Sequence, residues 1–565
     1  MIIEFLLIPC LFAVFAGWGA WAKILTGIKT DSFSLTVILG LSIFSIPACL
    51  FLFFTPLTFF IESVLLIFSI IPFLFKTLRA YSTKFPKELL QSVWFWIFCL
   101  IIILAGSYYP FRPDHFYYYT PTINWLNQYG LIIGVANIDW ALGQMSVFHI
   151  MQAGLDQTID PFQRFCVFIT ILFLVYIFER KAYLLLFVIP VCFLFIQAAS
   201  PDVAIVFLSL IVINELYFNY KTGNYKILFL ISIFAFIIKP VAFWLPLLTF
   251  ITVFFIDKKE LKDYRAYLIP TLLITIFLIK NVIASSTLFY PVPLTKLNTY
   301  WLPDLRILEL SNEKAAMYTF DKYFTIDEIN SMTFLQKIYN WLSIGRLQTI
   351  INCIIVMVIA AFGVFSFLKK NFLYQLLWII IVIKSLIVFS FSGQFRFIID
   401  GIFPLLFIMF YPVITGKTKI FITGLTFSLL FLFMISNPSL LKRSIPDLKL
   451  TFWMKKGFTK KSILIPECYS IKRYAKENLG NLDLYISYYF FDYDTPPPAF
   501  KFKELKLYHE LGIFPQMKDP ANIRKGYYMK MLTPEEKEKL GKMIEMYFPD
   551  NRTSNVSVEP VKWEK

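Results

Sequence analysis

Long apolar runs broken by short polar stretches fill the chain from its second residue to about residue 436. A helix needs roughly 17–25 apolar residues to cross the hydrocarbon of a bilayer. Runs of that order lie near 2–22, 33–53, 57–76, 91–109, 162–178, 182–198 and 202–218. Others follow near 226–239, 241–256, 266–282, 347–367, 373–390, 396–414 and 418–436. The stretch 226–256 is a single apolar run broken at Lys239-Pro240. Proline removes a backbone donor, so the pattern predicts a hairpin turning there rather than one steeply tilted helix. The expected fold class is an all-α polytopic membrane protein with about fourteen transmembrane helices and a small C-terminal extracytoplasmic α/β domain.

Three longer polar segments interrupt or follow the spans: 110–161, 283–346 and the tail 437–565. In the tail, SILIP (462–466) and LDLYIS (482–487) have the β-branched and alternating character of strands, with a helical stretch between them. A Pro-rich turn follows at 496–498, and Thr533-Pro534-Glu535 opens a charged helix, with Thr533 as N-cap. No internal repeat is visible.

Composition agrees with a bilayer-embedded chain: 58% of residues are hydrophobic and 16% charged. The net charge of +16 would suit nucleic acid, but the basic residues fall mostly in short loops between apolar runs. That is a topology signal, and it argues against a nucleic-acid partner. The clusters are Lys23 and Lys29; Lys76, Arg79, Lys84 and Lys87; Arg180 and Lys181; Lys221 and Lys226; Lys258, Lys259 and Lys262; Lys369 and Lys370; and Lys417 and Lys419. With fourteen spans, all of them fall on one side. The positive-inside rule then makes that side cytoplasmic and both termini extracytoplasmic. The first apolar run begins with Glu4 and lacks a basic leader, so it reads as a retained span rather than a cleaved signal. Seven cysteines show neither a disulfide framework nor zinc-ligand spacing.

Charges within spans are costly and tend to face a cavity or a partner. Here they gather toward the outer face. Asp114 and His115 lie just beyond the fourth span, Asp202 opens the seventh, and Lys239 marks the outer hairpin tip. Lys280 is near the outer end of the tenth span, Lys384 in the outer half of the twelfth, and Arg396 with Asp400 opens the thirteenth. Together they suggest an outward pocket with cations for a phosphate and a carboxylate for a base. Asp114 lies in YYPFRPDHFYYY (108–119), whose aromatics suit an interface and could stack on a sugar ring. Beside low-dielectric lipid its carboxylate can be tuned to accept a proton. Each group also has a plainer reading. Asp114 could cap a helix from Phe116 to Gln128, and Asp202 could complement the dipole of the helix it opens. Arg396 and Asp400, spaced i,i+4, could pair with each other. Lys239 and Lys280 could snorkel, Lys384 could be neutralised by Asp400, and Asp139 could serve a turn. His115 and His149 lack metal-ligand company. The sequons at Asn551 and Asn555 matter only in a glycosylating pathway.

The stretch DHFYYYTPTINWLNQYGLIIGVANIDWALG (114–143) directly after a span, with SPD (200–202), Lys239-Pro240, KNVIASSTLFYP (280–291), GQFRF (393–397) and DYDTPPP (492–498), resembles the GT-C superfamily of polyprenyl-phosphate-sugar-dependent glycosyltransferases. It more closely resembles bacterial multi-pass proteins related to that superfamily. The resemblance implies a seven-helix module over 91–285 with a first outer loop at 110–161, flanked by N-terminal spans (1–90), an outer loop (286–346), further spans (347–436) and the tail domain (437–565). It implies residence in the bacterial cytoplasmic membrane. It further implies an inverting transfer of sugar from a polyprenyl-phosphate-linked donor to a cell-surface glycan or lipid acceptor, with Asp114 as general base. Lys280 and Arg396 would bind the phosphate, with Lys239 as a further candidate, and His115, Asp202 and Lys384 would line the substrate site. No cofactor is fixed by the resemblance, which leaves room for a divalent cation. A paired acidic motif beside Asp114 is lacking. Two other functions fit a chain of this kind, a polysaccharide polymerase or ligase and a lipid-linked glycan flippase or transporter. The first needs a catalytic Arg or His in a late outer loop, where 283–346 offers Arg306 and Arg346. The second favours repeats meeting at the bilayer midplane.

Overall fold

The structure, a computed structural model, describes residues 1–110, 112–219, 225–256, 258–437, 439–440, 460–466, 473–489 and 491–549. Its first four long helices are α1 (Ile2–Thr26), α2 (Phe33–Phe54), α3 (Phe59–Leu74) and α4 (Val93–Gly106). Ser32 caps α2 by accepting from the amide of Leu35, and the carboxylate of Glu179 accepts from the amides of Phe33 and Ser34 at 2.7 and 2.9 Å. These bonds satisfy donors that a helix start leaves without intrahelical partners. Helices α1 and α2 approach so closely that a Cβ on Gly40 would lie 1.9 Å from the carbonyl oxygen of Phe15. Small residues allow such backbone contact, which is a common way for apolar helices to associate without a hydrophobic driving force.

The first large loop carries α5 (Thr120–Gln128) and α6 (Val147–Ala153). Then come α7 (Phe165–Arg180), α8 (Pro201–Tyr217), α9 (Tyr225–Ile238), α10 (Trp244–Ile256) and α11 (Arg265–Ser285). A second polar segment holds α12 (Leu305–Thr319) and α13 (Phe334–Ser343), and the last apolar helices are α14 (Arg346–Leu368), α15 (Phe372–Ser392), α16 (Ile399–Phe410) and α17 (Lys417–Ser436). Among the described residues, six helices are long and apolar enough to cross a membrane: α1, α2, α11, α14, α15 and α17. Others, including α3, α4, α9 and α16, are apolar but shorter. Ile354, Met357, Ile383 and Leu386 are exposed on α14 and α15. Apolar surface of that extent marks a membrane protein.

The apolar runs of the sequence thus fall on apolar elements, with one exception in kind. Residues 182–198, expected as a helix, form two short 3-10 stretches, Tyr183–Val188 and Pro190–Leu194. Pro190 cannot donate to a continuing ladder, so the chain restarts there. The break at Lys239-Pro240 occurs as expected, between α9 and a 3-10 turn leading into α10.

The tail is an α/β unit. Strand β1 (Tyr474–Leu479) pairs antiparallel with β2 (Leu482–Ser487), and β2 pairs parallel with β3 (Ala499–Phe500). Strands β4 (Ile513–Met517) and β5 (Tyr527–Met531) form a second, antiparallel pair. Leu482, Leu484 and Ile486 are buried at alternate positions, as a one-faced strand requires. Helices α18 (Phe502–Leu511) and α19 (Pro534–Tyr547) pack together, and Thr533 caps α19 in a capping box with Glu536. The SILIP run is not a strand, because Lys460–Ile463 form a 3-10 turn. The start of α1 takes up the polar groups of this segment: the Met1 ammonium donates to the carbonyl of Ser462, and the amide of Ile3 to that of Leu464. The helical stretch expected after it is also corrected where it is described, since residues 474–479 are β1; residues 467–472 lie outside the described residues, as do both sequons.

Candidate functional site

Asp114 sits where the chain leaves α4. The next residues, His115–Tyr119, form a π-helical turn that runs into α5. The expected helix is therefore present, but Asp114 makes no side-chain cap bond to it. A guanidinium nitrogen of Arg396 instead donates to Asp114 Oδ2 at 2.8 Å, and Arg112 lies 3.4 Å from the same oxygen. Burial works to raise the Asp114 carboxyl, but the two guanidiniums outweigh it and hold it below the ordinary carboxylate range. The i,i+4 pairing of Arg396 with Asp400 does not form. Asp400 is instead paired with Lys384, both side chains fully buried, and accepts from the indole of Trp244 at 2.8 Å.

Asp202 at the start of α8 is paired with Lys239 at the α9–α10 break. The Lys239 ammonium also lies 4.5 Å from the ring centroid of Phe397, and the Arg396 guanidinium lies 4.9 Å from the same ring. Cations held over an aromatic face gain further stabilisation. Phe397 thus joins two ion pairs, Asp114–Arg396 and Asp202–Lys239. Three cations (Arg112, Lys239, Arg396) face two carboxylates there, leaving one positive charge in excess.

Phe397 and Lys239 also line a cavity of about 530 Å³, within the size range of small-molecule sites. Its walls are largely apolar and aromatic, with Tyr118, Phe277, Phe289 and Tyr290 among them. Ile387 and Phe391 of α15 contribute to the wall and are also exposed on the outside of the protein. Lys239 lines the rim and the Asp114–Arg396 pair adjoins it through Phe397, and with the greasy walls this suits a ligand with an anionic head and an apolar tail.

Not every sequence candidate joins this rim. The Lys280 ammonium donates to the carbonyl of Met145 at 2.7 Å and to Asn281 Oδ1 at 2.6 Å. The His115 ring is buried between Thr120 and the rings of Phe116 and Tyr493, and burial with Arg164 nearby pushes its pKa well down, so it is neutral. Lys384 is committed to Asp400. On the far side of α7 and α8, Arg180 grips Glu215 through two bonds of 2.8 and 3.0 Å.

A second charged cluster ties the tail to the first loop. The Lys501 ammonium is 2.8 Å from Asp139, 3.0 Å from Asp492 and 3.1 Å from Glu504, all buried. Asp139 also serves its expected turn, accepting from the amide of Ala141 at 2.8 Å with its other oxygen. Burial, with Asp139 adding to it, pushes Glu504 up to about 8 and Asp492 up to about 6, while the acidic cluster, Asp139 foremost, holds Lys501 protonated. Ligand atoms of the three acids lie within 4.8 Å of one another, a spacing that suits a hard divalent cation. The ammonium of Lys501 already stands among them. Backbone bonds reinforce the junction, from Tyr527 N to Ile133 O at 2.9 Å and from Tyr493 N to Phe116 O at 3.1 Å.

Sequence reasoning passed over Arg112, Trp244, Lys501 and Glu504. Arg112 lay within the motif around Asp114, so a local signal existed for it, and Asp492, the remaining acid of the cluster, opens the DYDTPPP motif. Lys501 and Glu504 sit in an ordinary charged stretch, FKFKELK (500–506), that carries no such mark.

Residues 1–403 match the family described as a domain of unknown function (DUF8201). No curated protein and no solved structure matches the chain.

Proposed function

We propose that this chain, which belongs to the DUF8201 family, is an inverting membrane glycosyltransferase that uses a polyprenyl-phosphate-linked sugar. The reading rests on one observation: Asp114 and Arg396 meet at 2.8 Å beside Phe397, which opens onto a cavity with apolar walls. In this reading the prenyl chain lies along those walls and enters past the exposed Ile387 and Phe391. The donor phosphate rests among Arg396, Lys239 and Arg112, where guanidinium groups can grip its oxygens in pairs. The acceptor hydroxyl attacks the anomeric carbon from the opposite side and gives its proton to Asp114. The bond from the anomeric carbon to the phosphate oxygen breaks, and the electron pair leaves with the phosphate, whose charge the same cations stabilise. The acceptor is a cell-surface glycan or lipid.

The full proposal places fourteen crossings in the cytoplasmic membrane of a bacterium, with both termini and the tail domain outside. Contacts of the tail with the start of α1 and with the first loop support a shared side for these parts. The test is turnover of a radiolabelled polyprenyl-phosphate sugar by purified protein. Asp114→Asn should abolish transfer while leaving membrane expression intact, and retained transfer eliminates the assignment of the base.

A further inference from the structure

A carboxylate clamped by two guanidiniums is a poor proton acceptor, so the arrangement at Asp114 raises the question of what releases it. Arg396 holds Asp114 through one guanidinium nitrogen, while its Nε is buried with no hydrogen-bond partner among the described residues. The grip is therefore a single point of contact, 23% exposed on both sides, and leaves donor capacity unused. The donor's phosphate is a diester with one negative charge and two non-bridging oxygens, and it can occupy two guanidinium donors at once where Asp114 occupies one. The excess of one positive charge around Phe397 gives the entering monoanion a countercharge. Lys239, over the same ring, lies within reach of such an anion's electrostatic pull, as does Arg112, which rests on the Phe195 ring at 4.9 Å.

We propose that a phosphate group entering beside Phe397 exchanges with Asp114 for the Arg396 guanidinium, so that binding of the phosphate is what frees the carboxylate. Asp114 is then a competitor of the ligand in the empty site, and in the filled one it keeps only the longer 3.4 Å contact with Arg112. This rests on the reading of the site given above and adds to it an order: the phosphate binds first, and the base becomes available only afterwards. Without a donor the carboxylate stays paired, which keeps it from activating water or an acceptor prematurely.

The exchange makes a thermodynamic demand that is independent of turnover. Removing the competitor should tighten phosphate binding, and the gain should require Arg396. Binding of farnesyl phosphate and of inorganic phosphate to the purified, detergent-solubilised full chain is measured by calorimetry for the wild type, Asp114→Asn, Arg396→Met and the double variant. Asp114→Asn is expected to bind about two- to fivefold more tightly, the scale of a partly exposed ion pair. In the Arg396→Met background the same substitution is expected to give no gain. Long-range electrostatics alone would leave the gain intact there, so the cycle separates exchange at one guanidinium from a general loss of negative charge. Should Arg396→Met not fold, Arg396→Gln replaces it, removing the charge while keeping a polar side chain.

No tightening in Asp114→Asn, or an equal gain with and without Arg396, overturns the exchange. Tighter binding of farnesyl phosphate than of inorganic phosphate assigns the anion to a lipid headgroup, and equal binding assigns it to a water-borne phosphate. The two readings fail separately. If Asp114→Asn loses transfer but shows no coupling to Arg396, the base stands and the exchange falls. If coupling is present and transfer persists, the exchange stands and the base falls.

Discussion

Lys384 and Asp400 form an ion pair with no exposed surface on either side chain, and the indole of Trp244 donates to the carboxylate's second oxygen at 2.8 Å. Three elements meet at this point: α15 gives the lysine, α16 the aspartate and α10 the tryptophan. Arg396 lies four residues before Asp400, so this pair anchors the segment that presents the guanidinium to Asp114. Removing one partner leaves a charge buried without compensation. Asp400→Ala is expected to destabilise the protein by about 3–5 kcal/mol, while Lys384→Met with Asp400→Leu recovers most of the loss. Thermal unfolding in detergent checks both, and an Asp400→Ala protein as stable as the wild type would refute the structural role.

Two lysines that look equivalent along the chain should behave differently. Lys239 stands over Phe397 at the cavity rim, whereas Lys280 spends its ammonium on Met145 and Asn281. Lys239→Gln is expected to weaken binding of farnesyl phosphate several-fold, on the scale of one charge-assisted contact. Lys280→Met should leave that affinity within about twofold. Calorimetric titration of both variants decides it; a larger effect at Lys280 would move the phosphate site.

The junction between tail and first loop should weaken as pH rises. Glu504 ionises near 4.5 in an unfolded chain, but burial and Asp139 push it up to about 8 in the folded protein. The folded state thus holds that proton more tightly, and the stability it contributes is complete below pH 4.5 and lost as pH climbs toward 8. Asp492 acts in the same direction between 3.8 and about 6. The unfolding midpoint is expected to decline across pH 4.5–8, and Glu504→Gln should flatten most of that decline. A slope unchanged by the substitution would show that Glu504 does not govern it.

Gly134 tests the same junction sterically. Its φ is +68°, in the left-handed region, and a Cβ there would lie 2.3 Å from the backbone oxygen of Tyr527 in β5. Gly134→Ala is expected to cost about 1–3 kcal/mol through strain and clash together. Limited proteolysis should then cut the tail faster than in the wild type, and unaltered cleavage would mean the loop yields freely.

Much of this molecule is legible without its structure. Apolar runs place nearly every long helix because a bilayer rewards continuous apolar length, and the Lys239-Pro240 break follows from the missing proline donor. LDLYIS and the Thr533 cap are read correctly because alternation and capping are local properties. SILIP misleads because its backbone partners are supplied by α1, more than 450 residues away in the chain. The same distance problem explains the ion pairs. Local spacing favours Arg396 with Asp400, yet the partner of Arg396 lies 282 residues earlier.

By itself, then, the sequence determined that this is a helical membrane protein with an α/β tail, and which charged residues lie toward the ends of its apolar runs. Only the tertiary structure decided the pairing: Asp114 with Arg396, Asp202 with Lys239, Asp400 with Lys384, and Lys501 among three acids of two distant segments. Apolar length and periodicity are written in consecutive residues. A buried charge chooses its partner by distance in space, and that distance exists only once the helices have packed.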